Sequence, residues 1–209
     1  MHWTLLGDGR GDRALMPLLS WLLEQRSPRA FLGAWAEPAY LPPVRGGLAL
    51  RMRAAVQLYP CDLLFVHRDA ERQSREVRVQ EIRSGKATFS HCPPTACVIP
   101  VRMTEAWLLF DEPALRTAAG NPNGRVDLRL PRLQDADSLP DPKRLLEDCL
   151  KRATGRQARR LPGFAIGAAV QRLAELIDTF APLRALAAFR DLEQEIQAAL
   201  ISQGWDRPI

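Results

Sequence analysis

Long apolar runs are missing from this 209-residue chain. No stretch approaches the roughly 18 consecutive apolar residues that a membrane-spanning helix needs, so no membrane span is expected. The opening Met1-His2-Trp3-Thr4-Leu5-Leu6 reaches an acidic residue too early for a secretory signal peptide. Cysteine is scarce: Cys61, Cys92, Cys97 and Cys149. Cys92 and Cys97 flank a Pro-Pro turn beside His91, but zinc wants paired ligands at tighter, repeated spacing. Reduced, mostly buried thiols in a cytoplasmic protein are the expectation. Internal repeats and low-complexity tracts are absent too, and 46% hydrophobic residues argue against disorder. Acidic residues number 24 against 29 Lys and Arg, a net charge of +5 that permits a polyanionic partner without establishing one.

The apolar residues that are present mark an alternation of strands and helices. Trp3 to Leu6 reads as a first strand, followed by Gly7-Asp8-Gly9-Arg10-Gly11-Asp12. Three glycines in five residues imply a tight turn or the close approach of a ligand to backbone. Ala14, Leu15, Leu18, Leu19, Leu22 and Leu23 then recur at helical spacing, with Asp12 a candidate N-cap. This strand, glycine turn and helix match neither the Rossmann fingerprint nor the P-loop. Asp8 sits where a phosphate cradle would lie, and a carboxylate there repels phosphate unless a cation intervenes. Phe31 to Trp35 is a second candidate strand and Gly46 to Tyr59 a helix. Leu63 to Val66 is short enough for a buried central strand, and a solvated helix is expected from Glu71 to Ser84. Ala96 to Val101 is a further strand, after which Met103 or Thr104 opens a helix. Asp111-Glu112-Pro113 and Asp141-Pro142-Lys143 start two more, the latter with an Asp cap and Pro at the first helical position. Arg152, Arg156, Arg159 and Arg160 form a basic cluster that suits either a solvated helix end or nucleic-acid contact. Phe164 to Phe180 and Leu183 to Ile201 are amphipathic and helical. The expectation is an α/β domain over residues 1–155, a mainly parallel sheet of about four strands between helices, with a helical C-terminal extension over 156–209 packed on it.

Candidate chemistry gathers at strand ends, where open α/β sheets place their sites. Asp8 follows the first strand, His67, Asp69 and Glu71 the central one, and Glu105 a third. Each acid also has an ordinary reading, as a cap or first-turn residue that compensates a helix dipole. His67 could be a ligand, a proton shuttle or a hydrogen-bonded structural histidine. Several carboxylates at one edge repel one another unless divalent cations neutralise them, and hard oxygen ligands suit Mg2+ or Mn2+.

Gly7-Asp8-Gly9-Arg10-Gly11-Asp12-Arg13-Ala14-Leu15, the run Leu63 to Glu71, Glu105-Ala106-Trp107-Leu108-Leu109 and Asp141-Pro142-Lys143 resemble the successive motifs of the domain of unknown function 4276 family. That family is similar to TOPRIM domains, the metal-binding fold of topoisomerases, primases and certain nucleases. The resemblance covers the chain to about residue 155. It implies a TOPRIM-like fold and Mg2+-dependent cleavage of phosphodiester bonds in DNA or RNA. Asp8, Asp69, Glu71 and Glu105 would hold metal, with Asp8 a ligand or a base; Arg10, Arg68 and Lys143 would neutralise phosphate charge. TOPRIM sites use a Glu after the first strand and Asp-x-Asp after a later one; here Asp8 and His67-Arg68-Asp69 stand in those places. The departure leaves a second reading open, a non-catalytic subunit that binds an ATPase partner or nucleic acid, and a third, a hydrolase of small nucleotides. The resemblance also implies a setting in bacterial defence against phage or plasmids.

Overall fold

The computed structural model describes residues 1–70, 73–101, 103–155 and 163–207. Glu71 and, of the basic cluster, Arg156, Arg159 and Arg160 lie outside the described residues. Four strands, β1 (His2–Leu6), β2 (Leu32–Trp35), β3 (Leu63–His67) and β4 (Thr95–Val98), form one all-parallel sheet in the order β2-β1-β3-β4. Among the described residues seven α-helices flank it: α1 (Met16–Arg26), α2 (Leu48–Leu58), α3 (Arg75–Lys86), α4 (Glu112–Ala118), α5 (Pro142–Ala153), α6 (Ile166–Leu176) and α7 (Ala187–Ser202). This is the α/β architecture that the alternation of elements predicts. Among the described residues no helix is long and apolar enough to cross a membrane.

The central strands β1 and β3 are largely apolar because both faces of the sheet are covered there. Trp3, Leu5, Leu63, Phe65, Ala96 and Val98 point to one face, in a core shared with α1 and α4 to α7. Leu6, Leu64, Val66, Cys97 and Ile99 point to the other, against Met52 and Ala55 of α2 and Val79 and Ile82 of α3. Trp3 meets Phe65 edge-on at 5.3 Å across the β1–β3 pair. Gly33 makes room for that tryptophan, since a Cβ there would stand 2.4 Å from its ring. The larger core runs without a break from Trp3 to Leu200, so residues from both sides of position 155 share it. Phe189 of α7, for example, packs edge-on against Trp107 at 5.7 Å.

Several boundaries move from the sequence reading, for local reasons. The first helix opens as a 3-10 turn, Arg10–Leu15, and becomes α-helical only at Met16, where Pro17 occupies the first turn. Asp12 therefore caps no α-helix. The helix expected from Glu71 begins at Arg75. β4 ends at Val98, two residues before Pro100, which has no N–H to give a ladder. The segment after it, Thr104–Leu108, is 3-10 rather than α.

The strand order fixes where a site can form. The chain passes from β1 to β2 on one side, then crosses to β3 on the other. The carboxyl ends of β1 and β3 flank this switch point, the crevice in which open α/β sheets bind their ligands. Gly7 and Asp8 leave β1 there, and Arg68 and Asp69 leave β3.

Candidate functional site

His67, the last residue of β3, is the buried centre of this crevice, with 1% of its side chain exposed. Its Nδ1 lies 3.2 Å from Asp12 Oδ2 and its Nε2 3.2 Å from Asp69 Oδ1. Nε2 also stands 3.1 Å from the buried Thr104 Oγ1. The carboxylate approaches are close but poorly aligned: His67 Nδ1 and Asp69 Oδ1 are both buried without a hydrogen bond of good geometry. Burial works against a charged ring, but Asp12 and then Asp69 outweigh it and push the imidazole pKa up to about 10. At neutral pH His67 is an imidazolium held between two carboxylates.

Asp12 is fixed from its other side by the glycine turn. Its Oδ2 accepts the backbone N–H groups of Asp8 at 2.8 Å and Gly9 at 3.0 Å. Burial raises its pKa, but His67 and these two N–H groups bring it below the usual carboxylate value. The turn closes so tightly that a Cβ on Gly7 would stand 2.6 Å from Asp12 Oδ2 and 2.9 Å from the Trp35 ring. Glycine is needed here for space rather than for an unusual dihedral.

Asp8 faces cations. Arg68 Nη1 donates to its Oδ2 at 2.6 Å, and Arg51 Nη1 lies 3.8 Å from its Oδ1. Arg51 rises from α2 with only 2% of its side chain exposed and donates from Nη2 to the carbonyl of Gly7 at 2.7 Å. Arg68 Nη2 meets Glu81 Oε1 at 3.2 Å. Arg78 joins Glu81 Oε2 at 3.1 Å to the carbonyl of Asp69 at 3.0 Å. These contacts tie α2 and α3 to the loops that carry the acids.

Glu105, in the 3-10 turn after β4, is half-buried and its pKa is raised, first by burial and then by the charge of Asp69, with Asp12 adding to it. Lys143, at the start of α5, opposes that shift. Glu105 and Lys143 line a cavity of about 290 Å³ with Glu147, Ile166 and Val170.

The structure thus brings Asp8, His67, Arg68, Asp69 and Glu105 to one edge of the sheet, with Lys143 beside them. Arg10 stays at the surface, 80% exposed and 3.3 Å from Glu37. Asp12, Arg51 and Thr104 belong to the site although sequence reasoning does not select them. Asp12 carries a signal in retrospect: a second acid in a turn of three glycines, four residues after Asp8, can fold back on the turn as readily as it can cap a helix.

Hard oxygen donors of this kind suit Mg2+ or Mn2+, and the buried Oδ1 of Asp69 is an acceptor for which the described residues provide no aligned donor. Burial raises the pKa of Glu105 first, and the charges of Asp69 and Asp12 add to it. The donor set fits a divalent cation in its chemistry. Among the described residues, however, no three His, Cys, Asp or Glu side chains already stand in metal-ligand geometry. Internal cations hold much of the negative charge instead: Arg51 and Arg68 at Asp8, His67 at Asp12 and Asp69. No family model, curated protein or solved structure matches the chain.

Proposed function

We propose that this protein is a metal-dependent phosphodiester hydrolase, a nuclease acting on DNA or RNA. One observation carries the reading: Asp12 and Asp69, from the loops that follow β1 and β3, stand 3.2 Å from the two ring nitrogens of the buried His67 at the switch point of a parallel sheet. Asp12, Asp69 and Glu105 would hold Mg2+ or Mn2+, with Asp8 a further ligand or the base that takes a proton from water. Such an ion supplies Lewis-acid stabilisation of phosphoryl oxygen and a more acidic bound water. His67 holds Asp12 and Asp69 on either side of the crevice, a positioning role. Arg68 and Lys143 bring positive charge to a phosphate that approaches Asp8 and Glu105. The resemblance to the TOPRIM-like family of domain 4276 supports the same chemistry and a cytoplasmic role in defence against phage or plasmids.

The test is an assay of nucleic-acid cleavage with Mg2+, with Mn2+ and with EDTA. Cleavage only with metal, abolished in a folded Asp69→Ala variant, supports the proposal; cleavage retained by that variant refutes the site.

A second reading, a non-catalytic subunit that binds an ATPase partner or nucleic acid, is favoured by the internal cations. Asp8 is already paired with Arg68, and Asp12 and Asp69 with His67. Co-purification with an ATPase, and no metal-dependent cleavage by the chain alone or with that partner, would favour this reading over the first.

A further inference from the structure

A second cavity, of about 300 Å³, opens beside the carboxylates on the β2 side. Trp35 lines it at the end of β2, with Arg10 and Arg13 from the 3-10 turn, Glu37 beyond the strand, and Gln171 of α6. It shares Gly11, Gly167 and Gln171 with the cavity that holds Glu105 and Lys143, so the two lie on either side of one low ridge. Gln171 Nε2 donates to the carbonyl of Gly11 at 3.3 Å across that ridge. Trp35 also borders the acidic turn, since its ring bounds the space above Gly7 together with Asp12.

Arg10 is already paired with Glu37 at 3.3 Å, but Trp35, Arg13 and Gln171 each suit one part of a nucleotide. An indole stacks on any base, and guanidinium groups pair with phosphate or stack on the base themselves. With one amide N–H committed to Gly11, the carbonyl oxygen of Gln171 is left for a base edge. The volume is at the small end of ligand pockets, which run from roughly 300 Å³ upward. That is room for a single nucleotide unit and not for a base pair. A base inside a duplex is covered by its neighbours on both faces and cannot offer one to Trp35.

We infer that the Trp35 cavity is a subsite for an unpaired nucleotide, and that the polynucleotide bound across the ridge is single-stranded. A strand that lays a base on Trp35 runs on past Gly11 and Gln171 towards Lys143 and Glu105. This rests on the nuclease reading for what happens at the carboxylates, but the binding it describes is measured without cleavage.

The experiment is fluorescence anisotropy in EDTA, so that no strand is cut, with labelled oligothymidylate, oligouridylate and a duplex of equal length. Both single strands are expected to bind at least tenfold more tightly than the duplex, and the tighter of the two identifies DNA or RNA. Trp35→Ala is expected to weaken single-strand binding about tenfold, the loss of one stacked base. Trp35→Tyr should restore most of it. Because Trp35 is partly buried, two exposed positions provide independent variants. Ala168→Phe fills the cavity and should abolish the preference for single strands. Arg13→Gln should weaken binding and flatten its salt dependence. Duplex binding equal to single-strand binding, or wild-type binding by Ala168→Phe, overturns the inference. Thymidine monophosphate competing as tightly per site as the strand overturns its polynucleotide part. None of these results bears on metal-dependent cleavage, so the two proposals fail separately.

Discussion

At the scale of single residues, His67 sets the character of the site. A buried imidazolium between two acids is stable only while it keeps its proton. Its folded pKa of about 10 lies above the ordinary 6.5. The stability it contributes is therefore complete below about pH 6.5 and is lost as pH rises towards 10. Denaturant unfolding in EDTA should show stability falling across that window, and His67→Gln should remove the fall. A flat profile in the wild type would mean that the ring is neutral. Asp12→Asn removes one of the charges that hold the proton. Breaking a buried pair of this kind costs about 3–5 kcal/mol, and the variant should lose stability in that range in urea. Asp12 was read in sequence as a helix cap, not as the partner of His67. That pairing spans 55 positions of sequence and depends on the register of β1 against β3.

At the scale of elements, the glycine turn and the C-terminal helix carry the clearest expectations. Gly7→Ala forces a methyl group against Asp12 and Trp35. It should destabilise the fold by about 1–3 kcal/mol, the ordinary penalty of overpacking, and disturb the site more than its small volume suggests. Helix α7 is held to α1 through Glu193, whose side chain is 8% exposed and meets Arg26 at 3.0 Å and Arg184 at 2.9 Å. Glu193→Gln should lower the thermal midpoint of the whole chain in one cooperative transition. A separate early transition would mean that α7 unfolds independently of the sheet. The strands were readable because fully buried parallel strands are short apolar runs bounded by turn residues. Helix starts were readable where an Asp cap precedes a proline, at Asp111 for α4 and Asp141 for α5, but not at the 3-10 turns Arg10–Leu15 and Thr104–Leu108, which carry helical apolar spacing without α-helical hydrogen bonds.

At the scale of the whole molecule, a four-stranded parallel sheet places its acids at the one edge where its connectivity reverses. Arg51 and Arg78 come from helices on the opposite face to α6 and α7, yet both reach this edge. The site is thus a junction between the two layers. It holds a charge balance in which Arg51, Arg68 and His67 offset the carboxylates of Asp8, Asp12 and Asp69. Binding of a cation should displace Arg68 from Asp8 and release charge from the crevice. Affinity for the metal should accordingly rise when phosphate arrives to take up the guanidinium. The α/β class followed from the sequence, whereas this charge balance did not. It arises from residues, Arg51 above all, whose long-range partners no local pattern in the sequence marks.

Calorimetric titration of Mn2+ into the protein, with and without an oligonucleotide present, tests the metal site most directly. Run beside Asp69→Ala, with circular dichroism to establish its fold, it should show binding that strengthens with oligonucleotide and disappears in the variant. Absence of binding in both conditions, or equal binding by a folded Asp69→Ala, would contradict a metal centre at these strand ends and leave the partner-binding reading in its place.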